Sequence, residues 1–149
     1  MRSVPRAAML LGLSGLLPFF WGVVTLISPA AFDATMSTVG PRFVAPFVLL
    51  SYGSIILAFM AGVLWGFATR AQQGAWAYYA LSVIPALWAF FLVGDGPISS
   101  AIYLGLGFVG LLGLDWLFWR DKLAPVWWLS FRAMLTAGVV ASLGVVAFG

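Results

Sequence analysis

The stretch Ser51-Tyr-Gly-Ser-Ile-Ile-Leu-Ala-Phe-Met-Ala-Gly-Val-Leu-Trp-Gly66 decides the fold. It carries no charge, and its apolar character continues outward to Phe43 and Thr69. A helix of about 20 apolar residues crosses the hydrocarbon core of a bilayer. The sides of this helix differ. Ser51, Ser54, Ile55, Ala58, Gly62, Trp65 and Thr69 share one side at helical spacing, and Gly66 completes a GxxxG pattern with Gly62. Ile56, Met60, Val63, Leu64 and Phe67 occupy the other. In lipid, helices associate through close packing of small residues and shared hydroxyl hydrogen bonds. The spacing therefore predicts that the small side faces protein and the bulky side faces lipid.

Working outward, the same pattern recurs. Of 149 residues, 64% are hydrophobic and 7% charged, with a mean hydropathy of +1.11. A soluble domain carries roughly 25% charged residues, so this chain has too little polar surface to cover a particle in water. The expected architecture is all-α, a single transmembrane domain over residues 1–149. Its five helices are expected at approximately 7–27, 43–69, 75–93, 98–119 and 129–148. The first segment follows a basic start and resembles a signal peptide, but its apolar run is longer than the usual ~7–15 residues and it is read as retained. Residues 28–42 are read as the longest polar connection. A short interfacial helix over 30–39 is the alternative, because Phe32, Met36 and Val39 recur at helical spacing. Ala8, Gly12 and Gly15 offer segment one a small flank. Segment three has Tyr78, Ser82, Ala86 and Ala89 on one side, and Pro85 is expected to kink it, since proline has no N–H to donate. In segment five Ala133, Ala137, Val140 and Gly144 share a side.

Arg2, Arg6, Arg70, Arg120, Lys122 and Arg132 fall at one membrane face, and Arg42 falls at the other. By the positive-inside rule the N-terminus is cytoplasmic. After five crossings the C-terminus lies outside. The pI of about 9.8 reflects this bias, with no basic patch suited to nucleic acid.

The chemistry available is narrow. The sequence holds no His, Cys or Glu. That removes thiolate chemistry and the usual haem and zinc ligand, so no catalytic residue, cofactor-binding residue or metal ligand is assigned and the chain is not read as an enzyme. Asp115 stands among Leu114, Trp116, Leu117 and Phe118, and an ionisable group in a span is a functional candidate by default. Near a helix C-terminus it also needs a cation. Arg120, Lys122 and Arg132 are available, and an interfacial ion pair between Asp115 and Arg132 is the favoured reading. Tyr52, Trp65, Tyr78, Tyr79 and Trp88 are candidates to line a pocket for a flat molecule such as a quinone, but aromatics in such chains more often form core or belt. Ser51, Ser54 and Ser82 lack a base, so they are read as helix-packing residues. The packing set is thus Ser51, Ser54, Ala58, Gly62, Trp65, Gly66, Ser82 and Pro85.

The run Tyr52–Gly66 is similar to the signature of the domain of unknown function 3429 family, small polytopic membrane proteins resembling transmembrane protein 69. Three more stretches carry the resemblance: Pro5-Arg-Ala-Ala with Gly15-Leu-Leu-Pro18-Phe; Ser82-Val-Ile-Pro85-Ala-Leu-Trp88; and Asp115 followed by Pro125-Val-Trp127, Phe131-Arg132 and Leu135-Thr136. The family tends to show Trp-Tyr where this chain has Trp127-Trp128, and Leu-Arg where it has Phe131-Arg132. The resemblance implies a bacterial inner-membrane protein with relatives in the mitochondrial inner membrane, and no activity. Two functions are open. One is a non-catalytic accessory subunit or assembly factor of a larger respiratory or photosynthetic membrane complex, with lipid and other membrane helices as partners. The other is a small homo-oligomeric carrier or channel with Asp115 near its path.

Overall fold

A computed structural model describes residues 4–149, in which every regular element is helical. Arg2 lies outside the described residues. Five helical segments are long and apolar enough to cross a membrane: Arg6–Ile27, Phe47–Ala68, Ala75–Leu92, Pro97–Arg120 and Trp128–Phe148. Large apolar side chains such as Trp76, Phe90, Phe91, Phe59 and Leu11 are exposed around the bundle, as a lipid-facing surface requires.

The first span is two helices, α1 (Arg6–Ser14) and α2 (Leu17–Ile27). Pro18 has no N–H to offer the Ser14 carbonyl. Just before it, the Leu16 N–H bonds the Leu13 carbonyl, three residues back instead of four, at 3.0 Å. The single segment expected over 7–27 is thus one span made of two helices, jointed at Gly15–Leu16.

In the connection 28–42 the structure takes the alternative, a short helix, over the expected loop. It forms α3 (Pro29–Thr38) and a single 3₁₀ turn, Pro41–Phe43. Ser28 caps α3 by accepting the Ala31 N–H at 3.3 Å, and Pro29 supplies a first residue already fixed near helical φ. Phe32, Met36 and Val39 stay exposed and Thr35 is the buried residue, so α3 rests on the bundle through a hydroxyl-bearing face.

The second span, α4 (Phe47–Ala68), begins four residues later than the apolar run suggests, because Val44 is extended and Pro46 directly precedes the helix. Thr25 links α2 to this entry. Its hydroxyl donates to the Gly22 carbonyl at 2.8 Å and accepts the Ala45 N–H at 3.0 Å, both buried. A Thr25→Val variant keeps the shape but strands that N–H, and is expected to lose about 1–3 kcal/mol. Reversible unfolding in mixed micelles measures the loss.

The inner face of α4 is the reverse of the expected one. Gly53, Leu57, Met60, Ala61, Leu64 and Ala68 are buried. Ser51, Ala58, Gly62, Trp65 and Gly66 are exposed on the outside and Ser54 is half-buried. The reason is volume. Helix α4 packs on α2, α5 and α6, and leucine side chains fill the space between them. Small residues sit inside where a neighbouring side chain presses close, as Leu104 does on Gly53 and Leu49 on Gly22. At Gly62 and Gly66 nothing among the described residues lies within 4 Å of an added Cβ.

Helix α5 (Ala75–Leu92) runs through Pro85 without ending, and buries Ser82, Pro85 and Ala89. Helix α6 (Pro97–Arg120) packs on α4, α5 and α7. Its inner line is Leu104, Phe108, Leu111, Asp115 and Phe118. Gly107 lets Trp88 and Leu57 approach, and the Trp88 indole donates to the Tyr103 carbonyl at 2.6 Å. Helix α7 (Trp128–Phe148) buries Phe131, Arg132, Leu135, Thr136 and Val139, and leaves Ala133 and Ala137 outside. Arg70 Nη1 donates to the Leu123 carbonyl at 3.3 Å, joining the α4–α5 and α6–α7 connections at one end of the bundle.

Candidate functional site

The site forms where α6 ends and α7 begins. The chain returns through residues 121–127, so the last turns of α6 lie beside the first turns of α7. Trp128 and Arg132 are four residues apart and share one face of α7. Both point at Asp115. The Trp128 indole N–H donates to Asp115 Oδ1 at 2.8 Å, and Arg132 Nε donates to Oδ2 at 3.1 Å. Asp115 is fully buried and the Arg132 side chain is 6% exposed. An acid and a base in such a place hold their charges by pairing.

The neighbouring ions have other partners. Arg120 pairs with Asp121, Nε to Oδ1 at 2.9 Å, and its guanidinium lies 5.0 Å over the Trp116 ring. The Tyr78 hydroxyl also donates to Asp121. These bonds, Arg120's first, hold the Asp121 carboxyl below the ordinary carboxylate range. Of the cations considered for Asp115, the fold brings Arg132 to it and sends Arg120 elsewhere.

The pairing with Asp115 is one-pronged. Arg132 Nη2 is buried with no hydrogen-bond partner among the described residues, and so is Thr136 Oγ1, one turn along α7. Both residues line a cavity of about 270 Å³ bounded by the α1–α2 joint, α4 and α7. Sequence reasoning singled out Arg132 but not Thr136. The available signal was their four-residue spacing on a helix whose other polar side chains are Ser130 and Ser142.

The five aromatic candidates do not share one pocket. Trp65 and Tyr79 meet at a tilt with ring centroids 4.6 Å apart, Tyr78 meets Phe118, and Trp88 meets Tyr103. Tyr52, packed edge-on against Phe19 at 5.4 Å, is the member that reaches the cavity. Ser51 and Ser54 return their hydroxyls to carbonyls of their own helix at 2.8 Å each, and Ser82 does so at 2.7 Å. Among the described residues no group of three acidic, His or Cys side chains is placed to hold a metal.

Comparison with known proteins agrees with this architecture. The sequence profile of the family described as "Protein of unknown function (DUF3429)" matches residues 4–148. Transmembrane protein 69 of Xenopus tropicalis is 31% identical over 148 residues, covering 96% of this chain and 54% of the relative. The chain thus spans about half the length of that relative. No solved structure matches. With the profile covering nearly the whole chain, and five spans in the structure, this protein is a multi-pass membrane protein of the DUF3429 family.

Proposed function

We propose that this protein is a non-catalytic accessory subunit or assembly factor of a larger complex in an energy-transducing inner membrane, with the basic end of the bundle in the cytoplasm. The observation that carries the reading is the outward side of α4. Ser51, Ala58, Gly62 and Gly66 are exposed there, with Trp65 among them, and the inner side of the same helix is already filled. Helix-on-helix association in lipid uses such small surfaces. The poverty in acid–base and nucleophilic groups supports a role without chemistry. The similarity to transmembrane protein 69 supports a membrane location and names no partner.

The carrier reading places Asp115 beside a path, but both its oxygens are engaged and it is sealed from the surface. The test is extraction of the tagged protein from native membranes in a mild detergent. A partner at equal stoichiometry, lost from a Gly62→Leu variant that still folds, is the expected result. A lone monomer, or a partner that ignores the substitution, overturns the reading.

A further inference from the structure

We infer that the cavity between the α1–α2 joint and α7 binds a neutral, apolar-bodied molecule through a carbonyl oxygen, held by Arg132 and Thr136. Four observations meet there. First, Arg132 Nη2 and Thr136 Oγ1 are buried polar atoms with no partner among the described residues, and they belong to two residues, one turn apart, that line the cavity. Leaving such atoms unpaired is costly, and native proteins seldom do so without a reason. Second, the rest of the wall is apolar, with Leu16, Phe19, Met60 and Val139 among its members. Third, Leu11 and Phe59 line the cavity and are also exposed on the lipid-facing surface, so entry is from the bilayer. Fourth, the volume of about 270 Å³ is just below the roughly 300–1,000 Å³ typical of sites that enclose a whole small molecule. That accommodates a ring or a headgroup, with the tail remaining in lipid.

The charge balance fixes the class. Asp115 already neutralises Arg132. A carboxylate ligand would add an uncompensated negative charge in a medium of low polarity, and a neutral carbonyl would not. Both free atoms can donate a hydrogen bond, as a carbonyl oxygen requires. Arg132 lies four residues past Trp128, about 6 Å along the helix, so the donors sit just inside the aromatic belt. Two bilayer components present a neutral carbonyl at this depth: a lipid-soluble quinone and the ester of a phospholipid.

The experiment uses the full chain, delipidated in a maltoside micelle, and reads the saturable rise in melting temperature. The probes are a decyl-benzoquinone with decylbenzene as its control, didecanoyl phosphatidylcholine with its diether analogue, and decanoate. A carbonyl probe is expected to saturate where its control does not. Saturation by the quinone identifies that source, and saturation by the diester but not the diether identifies lipid. Thr136→Val is expected to weaken the effective probe about ten-fold, the worth of one hydrogen bond, while Thr136→Ser keeps it. Without probe, Thr136→Val should melt at or above the wild-type temperature, because it removes a hydroxyl that has no partner, which separates lost binding from lost folding. The inference is overturned if neither carbonyl probe saturates, if decanoate binds more tightly than both, or if Thr136→Val binds like wild type.

Discussion

Replacing Asp115 by asparagine is expected to destabilise the bundle by about 3–5 kcal/mol, the usual cost of breaking a buried ion pair on one side. The substitution is close to isosteric. Asparagine can still accept from the Trp128 indole through Oδ1, so that bond survives. What changes is the charge. The Arg132 guanidinium, its side chain 6% exposed, would be left in the protein interior without an anion. Arg132→Gln produces the mirror case, a buried carboxylate without a cation, and should lose a similar amount.

The double variant Asp115→Asn/Arg132→Gln carries the decisive information. It removes both charges, so the desolvation penalty vanishes along with the attraction, and stability should recover most of what either single variant lost. Unfolding of the four proteins in mixed micelles gives the coupling directly. If the losses simply add, each residue acts through contacts of its own and the pair does not function as a unit. If Asp115→Asn leaves stability intact yet abolishes a measurable ion or solute flux, the carrier reading replaces the accessory one.

Composition and segment length made the five spans legible, because crossing hydrocarbon demands long apolar runs whatever the tertiary contacts. Asp115 and Arg132 were legible for a related reason: charges inside spans are rare and must be compensated. The joint at Gly15–Leu16 was written in Pro18, but a proline in the first turns of a helix reads the same as one inside it until the helix start is known. Helix α3 was legible as the alternative, a short helix over 30–39, and its start was written in Ser28-Pro29, but its low apolar content favoured the loop. The inner face of α4 was not legible from its own periodicity. Whether a small residue marks a contact or a free surface depends on which helices surround it, and that is a property of the assembled bundle. Thr136 was hidden for the same reason, because an unpaired hydroxyl is visible only once its neighbours are placed.

Glycine substitutions should separate these two kinds of small residue more sharply than any sequence pattern does. An added Cβ at Gly22 would lie 2.7 Å from Leu49 Cγ and 2.9 Å from Val48 Cγ1, and closer still to Leu49 Cδ1. Leu49 is fully buried and Val48 is stiff at its β-branch, so neither can swing aside and α2 must move off α4. Gly22→Ala is therefore expected to cost about 1–3 kcal/mol, the range for overpacking a filled core. Gly62→Ala meets nothing among the described residues within 4 Å. It should be neutral, or stabilising by up to about 1 kcal/mol from helix propensity. Both measurements are made on the isolated chain in micelles. The comparison then becomes a test of context when it is repeated in native membranes. If a partner helix seats on the outer side of α4, Gly62→Ala, harmless in isolation, should weaken that association, because the added methyl now meets another backbone. Equal behaviour of the two glycines in isolation would mean that the burial of α4 has been assigned to the wrong side.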